Sequence, residues 1–279
     1  MFQLSLKIII NSCMKPINII VFSKDRAMQL DLFLRSFENV TDCWEYNIIV
    51  LYTCSDNSFA SGYKKLMAKG YSNVFFLKET NFKANLIHCM ENHPHTVFFM
   101  DDNIFIRPFD FYDEQMDVFN GDHKIACRSL RLNPNLIYCY PAQTKMRSPV
   151  FYENNVFEWA GAMGDYGYPM SLDGHIFRTK DIEPYIKDLD YSNPNTLEGR
   201  MAMFPLRQPK MMCYDKSIII NNPINKVQTV NNNIHGNITA SFLNEKWLDG
   251  YSISLEPFIG INNFSCHQEM DITYDRHSN

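Results

Sequence analysis

The sequence predicts an α/β domain with a Rossmann-like, mostly parallel central sheet flanked by helices. Three observations predict it. Apolar runs rich in Val, Ile and Phe recur at 16–22, 47–53, 73–77 and 96–100, too continuous for a sheet with one wet face. Stretches of helical apolar spacing lie between them, and such alternation of strand and helix builds parallel sheets. Each run then ends in polar residues, where the carboxyl ends of parallel strands open onto a ligand crevice.

The first strand, 16–22, leads into Ser23, Lys24, Asp25 and Arg26. Met28, Leu30, Leu32, Phe33, Leu34 and Phe37 then space a helix that ends near Asn39, with Ser23 or Asp25 as its cap. The free N–H groups of that helix suit a phosphate or a base. Arg26 stands in the exposed first turn, where a cation opposes the helix dipole and carries little packing. A solvated charge and a group facing an anionic ligand both fit it.

The second strand, 47–53, is followed by a polar turn and a helix near 59–69 that stops at Gly70. The third, 73–77, is followed by a polar stretch and a helix near 83–92. His93 and His95 read as helix-end and loop residues. The fourth strand, 96–100, runs into Asp101, Asp102 and Asn103. All three favour turns. They also place two hard oxygen ligands at a strand terminus, which suit a divalent cation, as the cation suits a diphosphate. The strand ends together carry Ser23 and Arg26, Thr53 and Asp56, Lys78 and Lys83, Asp101 and Asp102. That set suits a nucleoside diphosphate: polar groups for base and ribose, a cation for phosphate, carboxylates for a metal. Neither a dinucleotide fingerprint nor a P-loop is present.

Beyond Asn103 the alternation degrades. A short helix is expected within 108–119, a strand over 124–131 and mixed strands and loops over 133–157. The Gly- and aromatic-rich stretch 157–169, with Trp159 and Tyr166, reads as a surface loop that offers aromatic faces, as sugar-binding sites commonly do. Asp173, Gly174 and His175 lie together at a strand entry, with Thr179 capping a helix over 180–189. Another helix opens at Pro194, capped by Asn195 or Thr196, with Glu198 in its first turn. A strand over 217–220, an Asn-rich loop and a helix near 244–250 follow, and His267 lies near the end. No repeat or linker divides the chain, so a single domain is expected.

Composition narrows the class. The chain has 279 residues, 20% charged, with a formal charge of −5, which argues against a general nucleic-acid binder. No apolar run is long enough to span a bilayer. None of the eight cysteines forms a CxxC pair, which excludes a zinc knuckle or a thioredoxin-like site. Cys89, Cys127 and Cys139 fall inside expected elements as small apolar residues, which points to a reducing, cytoplasmic compartment and a soluble protein.

The order of these pieces resembles nucleotide-sugar glycosyltransferases of the GT-A fold, both family-2-like and exostosin-like, over roughly residues 17–205. The resemblance rests on 21–26 with its helix, on 98–103, on Asp173, Gly174 and His175, and on Leu197 and Glu198. The segments 22–34, 170–178, 194–198 and 221–228 are similar to uncharacterised bacterial and viral transferases, which suggests such an origin.

The resemblance implies a nucleotide-binding half over 17–105, and an acceptor-binding half with a C-terminal extension over 106–279. It implies donor contacts from Ser23, Arg26, Thr53, Asp56, Lys83 and Asp101. It implies Mn2+ or Mg2+ at Asp101, Asp102 and Asn103, completed by His267. The donor is a UDP- or GDP-sugar and the acceptor a glycan or small-molecule hydroxyl. Glu198 is first choice as the base that takes the acceptor proton and Asp173 second, with His175 a sugar contact. Two departures stand out. Asn103 replaces the usual third carboxylate, so either its amide oxygen or Asp102 ligates, and Gly199 leaves Glu198 as one acid where two are usual. A sugar-nucleotide pyrophosphorylase competes, but 22–26 lacks the glycines that class carries. A catalytically weak nucleotide-sugar-binding module is the other alternative.

Overall fold

A computed structural model describes residues 15–41, 45–225 and 236–276. The apolar run over 6–10, Cys13, Cys43 and most of the Asn-rich loop lie outside the described residues.

The first half follows the expected alternation closely. Its elements are β1 (Ile17–Lys24), α1 (Ala27–Val40), β2 (Ile48–Thr53), α2 (Asn57–Met67), β3 (Val74–Lys78), α3 (Phe82–Cys89) and β4 (His95–Met100). Strands β3, β2, β1 and β4 lie side by side and parallel, with Ile20 level with Ile49 and Phe98. The continuous apolar runs are explained by the two faces of this sheet. In β1, Ile19 and Val21 enter a core shared with Phe33, Phe99 and Trp247, while Ile20 and Phe22 enter one shared with Phe98, Phe177 and Leu197. Successive strand residues point to opposite faces, so a strand covered on both sides needs apolar residues at every position.

The second half is irregular: β5 (Asn103–Phe105), α4 (Glu114–Gly121), β6 (Ile125–Ser129), β7 (Tyr138–Cys139), β8 (Thr144–Lys145), β9 (Val156–Glu158) and β10 (His175–Arg178). It continues with α5 (Thr179–Asp188), α6 (Pro194–Met203), β11 (Lys210–Cys213), β12 (Ile219–Asn221), α7 (Ala240–Leu248), β13 (Tyr251–Ile253) and β14 (Tyr274–Arg276). The main sheet has the order β3-β2-β1-β4-β10-β6-β11-β9. β10 enters antiparallel between β4 and β6, β11 runs parallel to β6, and β9 closes the edge antiparallel. The expected α/β architecture with a mostly parallel central sheet is therefore the one observed. Among the described residues no helix is long and apolar enough to cross a membrane.

Several local expectations are corrected. Neither Ser23 nor Asp25 caps α1, whose N-cap is Arg26 without a side-chain cap bond. Asp25 instead adopts a left-handed conformation, φ 57°, and its carboxylate accepts from the Ser55 N–H at 2.7 Å and hydroxyl at 2.5 Å. α6 is capped by Asn193 rather than by Asn195 or Thr196, and Thr196 completes its capping box. Thr179 begins α5 rather than capping it. The stretch 157–169 is not an aromatic platform: Phe157 and Tyr166 are fully buried, and the Tyr166 hydroxyl donates to the Asn133 carbonyl at 2.6 Å. The half-buried Trp159 donates its indole N–H to the Gln208 carbonyl. Aromatic residues between glycines fill core here, because their apolar area outweighs the flexibility of the surrounding loop.

Candidate active site

A cavity of about 590 Å³ opens at the carboxyl ends of β1, β2 and β4 and extends under the loops before β10 and α6. One end has an apolar wall of Phe22, Leu51 and Phe82, with Thr53, Glu79 and Lys24 beside it. Its middle is acidic. Asp101 and Asp102 form the tight turn from β4 into β5, which directs both carboxylates off the strand end. Arg26 is buried against them, its Nη1 2.9 Å from Asp101 Oδ1 and 3.3 Å from Asp102 Oδ2. Its Nε and Nη2 donate to the side chain and carbonyl of Asn225. The exposed, lightly packed Arg26 of the sequence reading is thus corrected: its side chain is 9% exposed and bonded to Asp101, Asp102 and Asn225. Asp101 is saturated as well, since its other oxygen accepts from the Ser23 hydroxyl at 2.8 Å and the Lys24 N–H at 3.2 Å. Burial, with Asp101 and Asp173 adding to it, pushes Asp102 up to about 7 against the pull of Arg26.

The far end centres on a second buried arginine. Arg131 Nη2 lies 2.9 Å from Asp165 Oδ1 and Nη1 lies 3.4 Å from Asp173 Oδ2. Asp173 also accepts from the Asn221 amide at 3.0 Å and the Asn103 amide at 3.3 Å, with His267 Nε2 at 3.9 Å. Its position depends on Gly174, which has φ +65° and lies so close to Ile219 that a Cβ would fall 2.2 Å from Cδ1. Gly174 N–H donates to the Phe98 carbonyl and its own carbonyl accepts from Leu130, so the Asp173 turn is stitched between β4 and β6. Glu198 projects from the second turn of α6 rather than the first. Its Oε1 accepts from the Leu172 N–H at 2.9 Å and the Ser171 hydroxyl at 3.1 Å. Burial, followed by the nearby Asp173 charge, pushes the Glu198 carboxyl up to about 7.

The cavity therefore gathers Ser23, Arg26, Thr53, Asp101, Asp102, Asp173, Glu198 and His267, most of the residues singled out in the sequence. It does not gather four others. Asp56 is exposed and caps α2, accepting from the Ser58 and Phe59 N–H groups. Lys83 donates to the Leu189 carbonyl and lies over the Tyr191 ring. His175 is fully buried beside the Pro169 carbonyl and the Cys127 thiol, and burial pushes its imidazole down to about 3. Asn103 is also fully buried; its amide oxygen accepts from the Met100 N–H at 2.8 Å and its nitrogen donates to Asp173 at 3.3 Å. Arg131, Asp165, Asn221, Asn225 and Glu79 belong to the site and were not singled out. Glu79 follows β3 just as Asp101 follows β4, and that position could have pointed to Glu79. Nothing local marks Arg131, whose partners lie 34 and 42 residues away.

The cavity lining carries six carboxylates against three Lys or Arg side chains, Lys24, Arg26 and Arg131. Among the described residues no three His, Cys, Asp or Glu side chains converge as a ready metal-holding group. Asp102, Asp173 and His267 line the cavity together, bordered by Asn221, whose Nδ2 donates to both aspartates while its Oδ1 is buried with no partner among the described residues. His267 Nδ1 is likewise buried with no partner among the described residues.

No family model matches the chain. Over 195 residues it is 29% identical to the bifunctional glycosyltransferase pgtA of Dictyostelium discoideum, a match covering 62% of this chain and 25% of that protein. The chain thus spans a quarter of the length of the curated relative it matches. Among solved structures, S. aureus TarS shares 13% identity at a TM-score of 0.45, over 74% of this chain and 36% of TarS. The mannosyltransferase PcManGT of Pyrobaculum calidifontis, in complex with GDP-Man and Mn2+, shares 10% at 0.41, over 75% and 57%. At these scores the structural likenesses carry no argument. The sequence similarity to a glycosyltransferase does, and it agrees with the resemblance carried by the motifs.

Proposed function

We propose that the cavity is the active site of a glycosyltransferase of GT-A type that moves a sugar from a nucleoside-diphosphate donor to an acceptor hydroxyl. The observation that carries this reading is one crevice holding Asp101 and Asp102 at the end of β4 and, beyond Asp173, a half-buried Glu198 pushed up to about 7. In this reading the base and ribose occupy the apolar end at Phe22, Leu51 and Thr53, and the diphosphate reaches toward Arg26 and Asp102. Residues 17–105 then serve the donor, and 106–279 the acceptor together with a C-terminal extension.

In a single displacement the acceptor oxygen bonds to the anomeric carbon as the bond from that carbon to the diphosphate breaks. The acceptor proton passes to Glu198, and the diphosphate leaves with the electron pair. A carboxyl near 7 is suited to this, because proton transfer is most effective when the base titrates near the working pH. Ser171 and the Leu172 N–H hold one Glu198 oxygen, so the carboxylate is oriented before the acceptor arrives. Asp173, ringed by donors from Arg131, Asn103 and Asn221, serves better as a fixed charge than as a proton carrier.

The carboxylate excess favours a donor that brings a cation, since a bare diphosphate would add negative charge to a cavity already short of positive charge. Asp102, Asp173 and His267 would hold Mn2+ or Mg2+, which when bound neutralises charge on the departing diphosphate. The test is release of nucleoside diphosphate from UDP- and GDP-sugars by purified protein with Mn2+. Release with at least one donor is expected, and a flat result across the panel contradicts the proposal.

A further inference from the structure

We propose that Glu79 and Lys24 form a base-reading pair that selects nucleosides with an imino N–H beside a ring carbonyl, as in uracil and guanine. This rests on the transferase reading and adds the substrate class its donor end would take. Glu79 is the first residue after β3, and its backbone N–H donates to the Tyr52 carbonyl at 2.7 Å, which fixes it to the end of the neighbouring strand. It lines the cavity beside Thr53 and the apolar wall of Phe22, Leu51 and Phe82. That wall suits the face of a flat ring, and Glu79 supplies a polar edge next to it. Its carboxylate is half-buried, and burial raises it while the Lys24 ammonium opposes. Lys24 is the last residue of β1, exposed, and lines the same cavity. Arg26, by contrast, is committed to Asp101, Asp102 and Asn225.

The chemistry of the pair decides the base. A carboxylate only accepts hydrogen bonds at neutral pH and an ammonium only donates. Uracil presents N3–H beside O4, and guanine presents N1–H beside O6. Both give a donor for Glu79 next to an acceptor for Lys24. Cytosine and adenine invert the pattern: a ring nitrogen lone pair faces the carboxylate and an amino group faces the ammonium. A site whose polar groups are left unpaired or opposed rejects the wrong partner strongly.

The test is calorimetric binding of UDP, CDP, GDP and ADP to the intact protein in Mn2+, repeated with Glu79→Gln and Lys24→Met. UDP is expected to bind tighter than CDP, or GDP tighter than ADP, by about tenfold or more, the scale of one misread base edge. Which of the two pairs binds tighter separates uracil from guanine. Glu79→Gln, which turns one acceptor into a donor at nearly constant size, is expected to shrink that ratio severalfold, and Lys24→Met to shrink it less. Binding without discrimination, or a ratio unmoved by Glu79→Gln, overturns the base-reading pair and leaves the transferase reading intact. Failure of all four nucleotides to bind overturns both.

Discussion

Arg26 and Arg131 each sit buried between two carboxylates, one at the β1 end of the crevice and one toward the α6 end. The Arg26 cluster is closed: Asp101 has both oxygens occupied, and the guanidinium is clamped by Asn225 on its other side. The Arg131 cluster is open. Among the described residues Asp165 Oδ2 and Arg131 Nε are buried without partners, and Glu198 uses only one oxygen for its fixed bonds. A closed cluster holds shape, because an uncompensated buried charge would be costly. An open one keeps acceptor capacity for a substrate proton. The difference teaches where to look for rigidity and where for chemistry.

The sharpest way to break this comparison is Glu198→Gln, which keeps size but cannot take a proton. Transfer is expected to fall by roughly two to four orders of magnitude, while donor affinity stays within a factor of about three. Unchanged transfer in steady-state assays would make Glu198 a structural acceptor for Ser171 and Leu172, and the open cluster would lose its role.

Arg26→Ala tests the closed cluster. It leaves Asp101 and Asp102 buried without their cation, and the expected loss of stability is about 3–5 kcal/mol, the scale for breaking a buried pair. Chemical denaturation checks this, and a loss below about 1 kcal/mol would show the pair to be no more than a surface contact.

A smaller effect separates the two ends by pH. Burial raises Glu198 from the ordinary 4.5 of a glutamate to about 7, so its basic form grows as pH rises through 7. Transfer should drop about tenfold for each unit below 7. The stability term has the opposite sense: a carboxyl raised on folding binds more protons in the native state, so its contribution is present below about 4.5 and is lost as pH rises toward 7. A transfer profile flat from pH 5 to 8 would contradict the assignment.

The smallest expected effect belongs to Asp56, which the sequence reading placed with the donor contacts and the structure places on the α2 cap. Asp56→Ala should cost about 0.5–2 kcal/mol of stability, the range for a lost N-cap, and leave donor affinity unchanged. Weakened nucleotide binding in the same variant would return Asp56 to the site.

The first half of the chain was legible because its signals are local. A strand covered on both faces is written as consecutive apolar residues, and Asp101 and Asp102 follow directly on such a run. The same locality misled in places. Asp56, Lys83 and Asn103 follow strands as ligand residues do, yet a helix cap, the Leu189 carbonyl and the Met100 N–H claim them. The second half was harder to read because β10 pairs antiparallel between β4 and β6, and β12 pairs with β5, both across long stretches of chain. Arg131, Asp165 and Asn221 meet only through those pairings, and no spacing in the sequence announces them. The buried Tyr166 shows the same limit, since loop composition alone does not reveal which aromatic faces are covered.

The central claim is that this crevice takes a sugar nucleotide in company with a divalent cation. Titration calorimetry of the intact protein with UDP- and GDP-sugars, in Mn2+ and again in EDTA, tests it most directly. The account predicts saturable binding of at least one donor in Mn2+ and an affinity at least about tenfold lower in EDTA, a difference of about 1.4 kcal/mol. Equal affinities in the two buffers would contradict the cation at Asp102, Asp173 and His267, and no binding of any donor would contradict the claim itself.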